Sequence, residues 1–398
     1  MKNRIRILIV ILPLAIFSNT ARASWGDFDT TFGFLGAAID GIADHYPRGI
    51  AVQPDGKILV TGYYLVSGRK RFFLRRYLSN GSVDTSFGNN GSAVSNALIV
   101  INADYSGYRI VVQANGRIAV AGLGNTRPTI WRFLSSGFAD TSIGAGGMKT
   151  LSAYAANFNP VLATYSNILY AGVVEDGSTS TVILKFNSSG SQDTSFGNSG
   201  EAQTDANGAF SMDVDPTSGN ILVSGRRRSD PNDYGVERFL TTGVLDPTFT
   251  HWGAAYGGWV GSNPSSFVRL ANGEFVLNER SYNVAVGGAT LWASIVRLSS
   301  SGSFISRSLY EPSEFVYGAP AGSCPDVIAQ QQNGKVVLKG ANSDELFRFS
   351  TDFSTVHTMS CSSYSSMSSP TPAVLQSDDK MIAAGIYNGA IVIVRTLP

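Results

Sequence analysis

Four aspartates, Asp44, Asp104, Asp213 and Asp326, sit just before or within short apolar runs. Carboxylates placed in this way could do acid–base chemistry. Glycoside cleavage would need two of them about 5 to 9.5 Å apart, and nothing in their spacing pairs any two. The three histidines, His45, His251 and His357, form no HExxH pair and no cluster with cysteine or carboxylate, so neither a zinc site nor any other metal or cofactor is expected. Serine-nucleophile elbows (GxSxG), phosphate loops (GxxxxGK[ST]), DxDxDG calcium loops and SxDxGxTW boxes are all missing. An enzyme is therefore the less favoured expectation, with no catalytic residue to name.

Recognition chemistry is better represented. Tyrosines, arginines and acids cluster before or between the apolar runs: Asp44, His45, Tyr46 and Arg48; Tyr63 and Tyr64; Asp104, Tyr105, Tyr108 and Arg109; Arg226, Asp230 and Tyr234; Arg280 and Tyr282; and Asp326. Tyrosine and arginine combine contact area with hydrogen-bond donors. These residues are the expected binding set.

The elements that would position them recur. The stretch "IAVQPDGKILVTG" (50–62) returns as "IVVQANGRIAVAG" (110–122), and shorter relatives begin at Ala163, Pro216, Leu270, Gln331 and Gln376, making seven copies. Each copy is followed by an apolar run containing a basic residue: Arg76, Arg132, Lys185, Arg238, Arg297, Arg348 and Arg395, spaced 56, 53, 53, 59, 51 and 47 residues apart. A glycine-rich period of this length with short β-branched runs predicts a propeller or array. Asp55-Gly56, Asn115-Gly116, Asn272-Gly273 and Asn333-Gly334 are hairpin turns, because the turn demands positive φ. In "KILVTG", Ile58 and Val60 face one way and Leu59 the other, so the strand needs neighbours on both faces.

"DTSFG" or a relative closes copies one to four, at Asp84, Asp140, Asp193 and Asp246, and is lost from copies five and six. Copy seven stops at Pro398, yet "DTTFG" stands at Asp29, ahead of copy one. The expected fold is all-β: a seven-bladed propeller of four-stranded antiparallel blades, closed by the N-terminal segment completing the last blade. The repeated Asp is read as a turn former, the repeated Phe as interblade packing and the repeated basic residue as architecture. A binding site belongs where the copies differ.

Units such as "AVQPDGKILVTG…FLRRYLSNGSVDTSFGNNG" resemble the delta-60 repeat (DUF5122-like), a bacterial β-propeller repeat of largely unassigned function. The match is good in copies one, two and four and partial in copy three, while copies five to seven keep only the hairpin and the basic residue. The order of hairpin and basic strand is also similar to NHL-type repeats. That resemblance implies that the first strand of each hairpin lines a central channel, and that the two loop sets above open on one face around its mouth.

At the N-terminus, a basic head (Lys2, Arg4, Arg6), the apolar run Ile7–Phe17 and Ala21-Arg22-Ala23 predict a cleavable signal peptide over 1–23, with cleavage after Ala23. Residues 24–398 are then one domain, secreted or periplasmic, a monomer with no transmembrane segment. Cleavage would leave 26 basic and 29 acidic residues, a balance that does not suit nucleic acid. Cys324 and Cys361 are expected to pair as a structural disulfide in that compartment. The expected role is a non-catalytic scaffold binding a protein, peptide or glycan at the channel-mouth loops. The alternatives are a glycoside hydrolase or lyase with channel carboxylates, and a structural or adhesion component of the cell surface.

Overall fold

The computed structural model describes residues 25–95, 103–155, 159–229, 234–253, 259–261, 266–283, 290–310, 328–339, 345–360 and 372–398. The predicted leader and Cys324, Cys361, Asp230 and Asp326 lie outside the described residues. Among the described residues, strands make all the regular structure except a three-residue 3₁₀ turn at Ala145–Gly147, and no helix is long and apolar enough to cross a membrane.

Each repeat copy folds as an antiparallel meander. In copy one the strands are His45–Val52, Ile58–Val66 and Arg69–Tyr77. Its first turn closes as expected: Gly56 has φ 80°, Gln53 N–H donates to Lys57 O at 2.8 Å, and Gly56 N–H donates to Gln53 O at 2.9 Å. Copy seven has Asp379 at the glycine position with φ 65°, a conformation that Asp tolerates better than most residues.

A fourth strand completes copies two, five and six, at Met148–Thr150, Phe304–Tyr310 and Val356–Ser360. Three copies depart from the expected four separate strands. In copy one the fourth element shrinks to a single bridge, Arg75 to Ser92. There Val94 is drawn off to the neighbouring copy, pairing in parallel with Phe138. In copies three and four the 14-residue strand Glu201–Val214 serves both sheets. Its first part pairs with Ser180–Phe186 and its second with Ile221–Arg227.

The segment Ala37–Ala43 lies antiparallel against Ala390–Thr396, with Ala37 opposite Val394 and Asp40 opposite Ile391. It is the fourth strand of the copy-seven sheet.

The core lies between sheets. Ile58 and Val60 pack with Ile382 and Ile393 of copy seven, while Leu59 packs with Val120 and Trp131 of copy two. Two-sided burial of this strand was legible from its lack of alternation. Further buried clusters join copies two and three, three and four, four and five, five and six, and six and seven. Fully burying one such aliphatic side chain contributes about 1.5–3 kcal/mol.

Candidate functional site

The repeated polar residues are consumed by the interfaces between sheets. Arg76 Nε lies 2.9 Å from Asp84 Oδ2, and the equivalent ion pairs are Arg132–Asp140 (2.8 Å), Lys185–Asp193 (3.0 Å), Arg238–Asp246 (2.8 Å) and Arg395–Asp29 (2.9 Å). The other carboxylate oxygen accepts from the residue two positions on: Asp84 Oδ1 takes Ser86 N–H at 3.1 Å and Ser86 Oγ–H at 2.5 Å. The aromatic of the same motif lies under the cation, with Phe87 4.2 Å from Arg76 Cζ, Phe249 4.5 Å from Arg238 and Phe32 4.7 Å from Arg395.

Each such arginine also reaches the next sheet. Arg76 donates to Ser135 O at 2.6 Å, Arg238 to Ser300 O at 3.1 Å and Arg395 to Ser79 O at 3.0 Å. Burial pushes the Asp29 carboxyl up, but hydrogen bonds from Thr31 and Lys380 and the Arg395 charge outweigh it and hold the pKa down at about 2. The structural reading of Asp, Phe and the basic residue therefore holds.

The variable residues gather at the opposite end from the Asp-Gly turns. The start of copy one's first strand lies beside the end of its second, so His45 faces Tyr64 and Tyr46 faces Tyr63. Both pairs stack, each with ring centres 4.9 Å apart and planes within 12°. Tyr46, Tyr63 and Tyr64 are half-buried. A register shift between Pro47 and Gly49 places Arg48 on a bulge. From there its guanidinium lies 5.5 Å from the Tyr63 ring centre and donates to Tyr63 Oη at 3.5 Å.

Lys70, on the third strand, puts Nζ 4.8 Å from the same ring, and Arg71 donates to Ala103 O at 2.6 Å. His45 Nδ1 lies 2.7 Å from Ala43 O. Burial pushes the His45 pKa below its ordinary value, outweighing the carbonyl contact, so the ring is neutral at pH 7 and donates to that carbonyl.

Asp44 is held by its backbone, and Asp104 by its carboxylate. Asp44, at φ 58°, donates its N–H to Gly389 O at 3.1 Å and accepts from Leu65 N–H at 3.2 Å. Asp104 Oδ1 accepts the Lys70 N–H at 3.0 Å. Copy two carries the same shift at Tyr108, and a side chain at Gly49 would come 2.5 Å from Tyr108 O, so the two first strands touch.

The remaining expected residues divide. Tyr105 is 4% exposed and belongs to the core between copies one and two, so its ring is not offered to solvent. Arg109 is exposed and Arg226 half-buried. Tyr234 lies opposite Arg226 in the copy-four sheet. Arg280 and Tyr282 occupy the second strand of copy five, opposite Ala293 and Leu291. Asp213 stands exposed on the first strand of copy four, on a different sheet from those beside Asp44 and Asp104. Among the described residues no three His, Cys, Asp or Glu side chains cluster as metal ligands.

Two polar groups escaped the sequence reading. Arg69 and Lys70 were legible only as a basic run at a hairpin turn. Glu237, 3% exposed, is pushed up to about 7 by burial, against hydrogen bonds from Asp205 N–H at 3.1 and 3.2 Å. No local pattern marks it as buried.

Residues 53–87, 113–142 and 167–196 match the family described as Domain of unknown function (DUF5122) beta-propeller. These are copies one to three; copy four, where the resemblance was expected to be good, is not among the matched segments. No curated protein matches the sequence.

Among solved structures, the chain is similar to hydrazine synthase of Kuenenia stuttgartiensis (10% identity, TM-score 0.57), covering 90% of this chain and 98% of that one. It is also similar to a catalytically inactive virginiamycin B lyase of Staphylococcus aureus with quinupristin (12%, TM-score 0.52, 91% and 98%). The Dos1 propeller is similar as well (12%, TM-score 0.52, 90% and 93%). At such identities the likeness is one of fold.

Proposed function

We propose that this chain, a DUF5122-like β-propeller repeat protein, is a non-catalytic scaffold that binds a protein, peptide or glycan at the mouth of a seven-bladed ring. The ring reading is supported by the pairing of Ala37–Ala43 with Ala390–Thr396 and by the apolar cluster that copy seven shares with copy one. Closing the array leaves no sheet edge open to aggregation. Residues 24–398 then form one domain, secreted or periplasmic after cleavage at Ala23, monomeric and carrying a Cys324–Cys361 disulfide.

One observation carries the binding reading. The charged residues common to the copies are spent on interfaces, while tyrosines and cations unique to copy one collect at one end of its sheet. The test is a binding screen of purified residues 24–398 against glycans and envelope extracts, with Tyr46→Ala/Tyr63→Ala in parallel. A ligand retained by the native chain and lost by the double variant is expected. A ligand that binds both alike would place the site elsewhere.

A further inference from the structure

The residue just before each repeated basic residue points toward the preceding copy. In copies two, three, five, six and seven it is Trp131, Leu184, Val296, Phe347 and Val394, each buried in an apolar cluster between sheets. Copy one has Arg75, which pairs with Asp40 of the strand that completes copy seven. Copy four has Glu237, 3% exposed. No Lys, Arg or His nitrogen lies within 4.0 Å of its carboxylate among the described residues. Its two oxygens share one donor, the Asp205 N–H, at 3.2 and 3.1 Å. Burying a carboxylate in its ionised form with one backbone amide and no cation is costly.

Asp205 sits where the shared strand Glu201–Val214 changes sheets. Gln203 is still opposite Val182 of copy three, while Ala206 is already opposite Arg227 of copy four. The register shifts against both partners here, and Gly208 takes φ 76°. The Asp205 carboxylate accepts from Arg227 Nε at 3.0 Å, and its carbonyl accepts the Arg228 N–H at 2.8 Å. Two charges bear on Glu237 across this junction: Asp205 disfavours its ionisation and Arg227 favours it. Arg228 reaches Ser180 and Asp205 instead. From copy three, Tyr165, Tyr170 and the Lys185–Asp193 pair face the same interface. Burial prevails and pushes the Glu237 carboxyl up to about 7, against 4.5 when free.

We infer that the junction of copies three and four is a proton-controlled hinge: while Glu237 holds its proton the shared strand stays seated on both sheets, and once the proton leaves, the crossing at residues 204–208 opens and lets water reach the carboxylate. Stabilisation from the protonated group is complete below pH ~4.5 and is lost as pH rises through about 7. The motif aspartates act with the opposite sign, favouring the folded chain as pH rises. Opening stays local because the crossing is the part of the strand with broken register against both neighbours. The hinge is independent of what the mouth binds.

Hydrogen exchange on residues 24–398 tests the hinge at about pH 5 and about pH 8.5, each amide rate being divided by its intrinsic rate. At residues 204–208 the Asp205 and Ala206 amides are hydrogen-bonded. Their protection should fall about tenfold or more at the higher pH, while the strand Ile58–Val66 keeps its own. Glu237→Leu, which copies Leu184, and Glu237→Gln should each hold protection level across the two conditions. One variant is apolar and the other polar, so either suffices if its partner fails to fold. Equal protection of 204–208 at both pH values in the native chain overturns the hinge. A fall that persists in a folded variant, or one shared equally by Ile58–Val66, overturns it too. Amide exchange reads no ligand, so failure here leaves the binding reading intact, and a failed binding screen leaves the hinge intact.

Discussion

Copies one, two, four and seven secure their sheets with an arginine, an aspartate and, in three of these four, a motif phenylalanine beneath the cation. Copies five and six have lost the motif, yet their arginines are still covered. Arg297 pairs with Glu274 of its own hairpin turn at 2.7 Å, and Phe353 lies 4.8 Å from its guanidinium. Arg348 rests 4.6 Å from the Trp25 ring.

Phe353 comes from the following copy, at a turn position with φ 61° where other copies have glycine. The glycines explain the exchange. A side chain at Gly81 would come 2.7 Å from Phe32, one at Gly137 would come 2.8 Å from Phe87, and one at Gly302 would come 3.0 Å from Phe249. Where the preceding copy sends in a phenylalanine, the turn must be bare. Where it does not, the turn itself can supply the ring. In every copy but the second, whose motif carries Ile143, an aromatic surface lies under the cation, supplied by whichever residue reaches it.

The largest effect is expected at the chain's two ends. Deleting 24–42 removes Trp25, Asp29, Phe32 and most of the strand Ala37–Ala43 together. The melting temperature should fall further than for any single substitution; unchanged melting would refute a closed ring. Phe87→Ala, at a fully buried position in an intact motif, should cost about 3–5 kcal/mol in urea unfolding.

Acid acts on the motif interfaces through their aspartates. The Asp29 carboxyl titrates near 2 in the folded chain against 3.8 when free, so its stabilisation is complete above pH ~4 and lost as pH falls toward 2. Asp29→Asn should remove roughly 2 kcal/mol at pH 7 and make that acid limb shallower, the other motif aspartates keeping the rest of it. Substituting Glu274, Phe353 or Arg348 should leave the limb in place. The smallest effect is expected at Phe353→Gly, which relieves the left-handed backbone but loses a half-buried ring: about 1–2 kcal/mol by thermal melting. A larger loss there than at Phe87 would invert the comparison.

The hairpins were legible because their signals are local. Asp-Gly and Asn-Gly demand positive φ, and the apolar run at Ile58–Val60 has no polar face. The motif aspartates were legible as turn formers for the same reason, since the serine or threonine they bind is two residues away. Tyr105 looked like a loop residue because it follows Asp104 and precedes the apolar run, but the neighbouring sheet covers it.

The amino-acid sequence alone determined the repeat, its turns and the two-sided burial of its strands, all of which follow from residues within a few positions of each other. It also matched "DTTFG" at Asp29 to the copy lacking it. Only the tertiary structure decided that Phe353 replaces a missing phenylalanine, that Trp25 covers Arg348, and that Arg48 and Lys70 share one tyrosine. Those contacts join residues from different strands or different sheets, and how strands and sheets stack is set by close packing of side chains, which no single run of residues encodes.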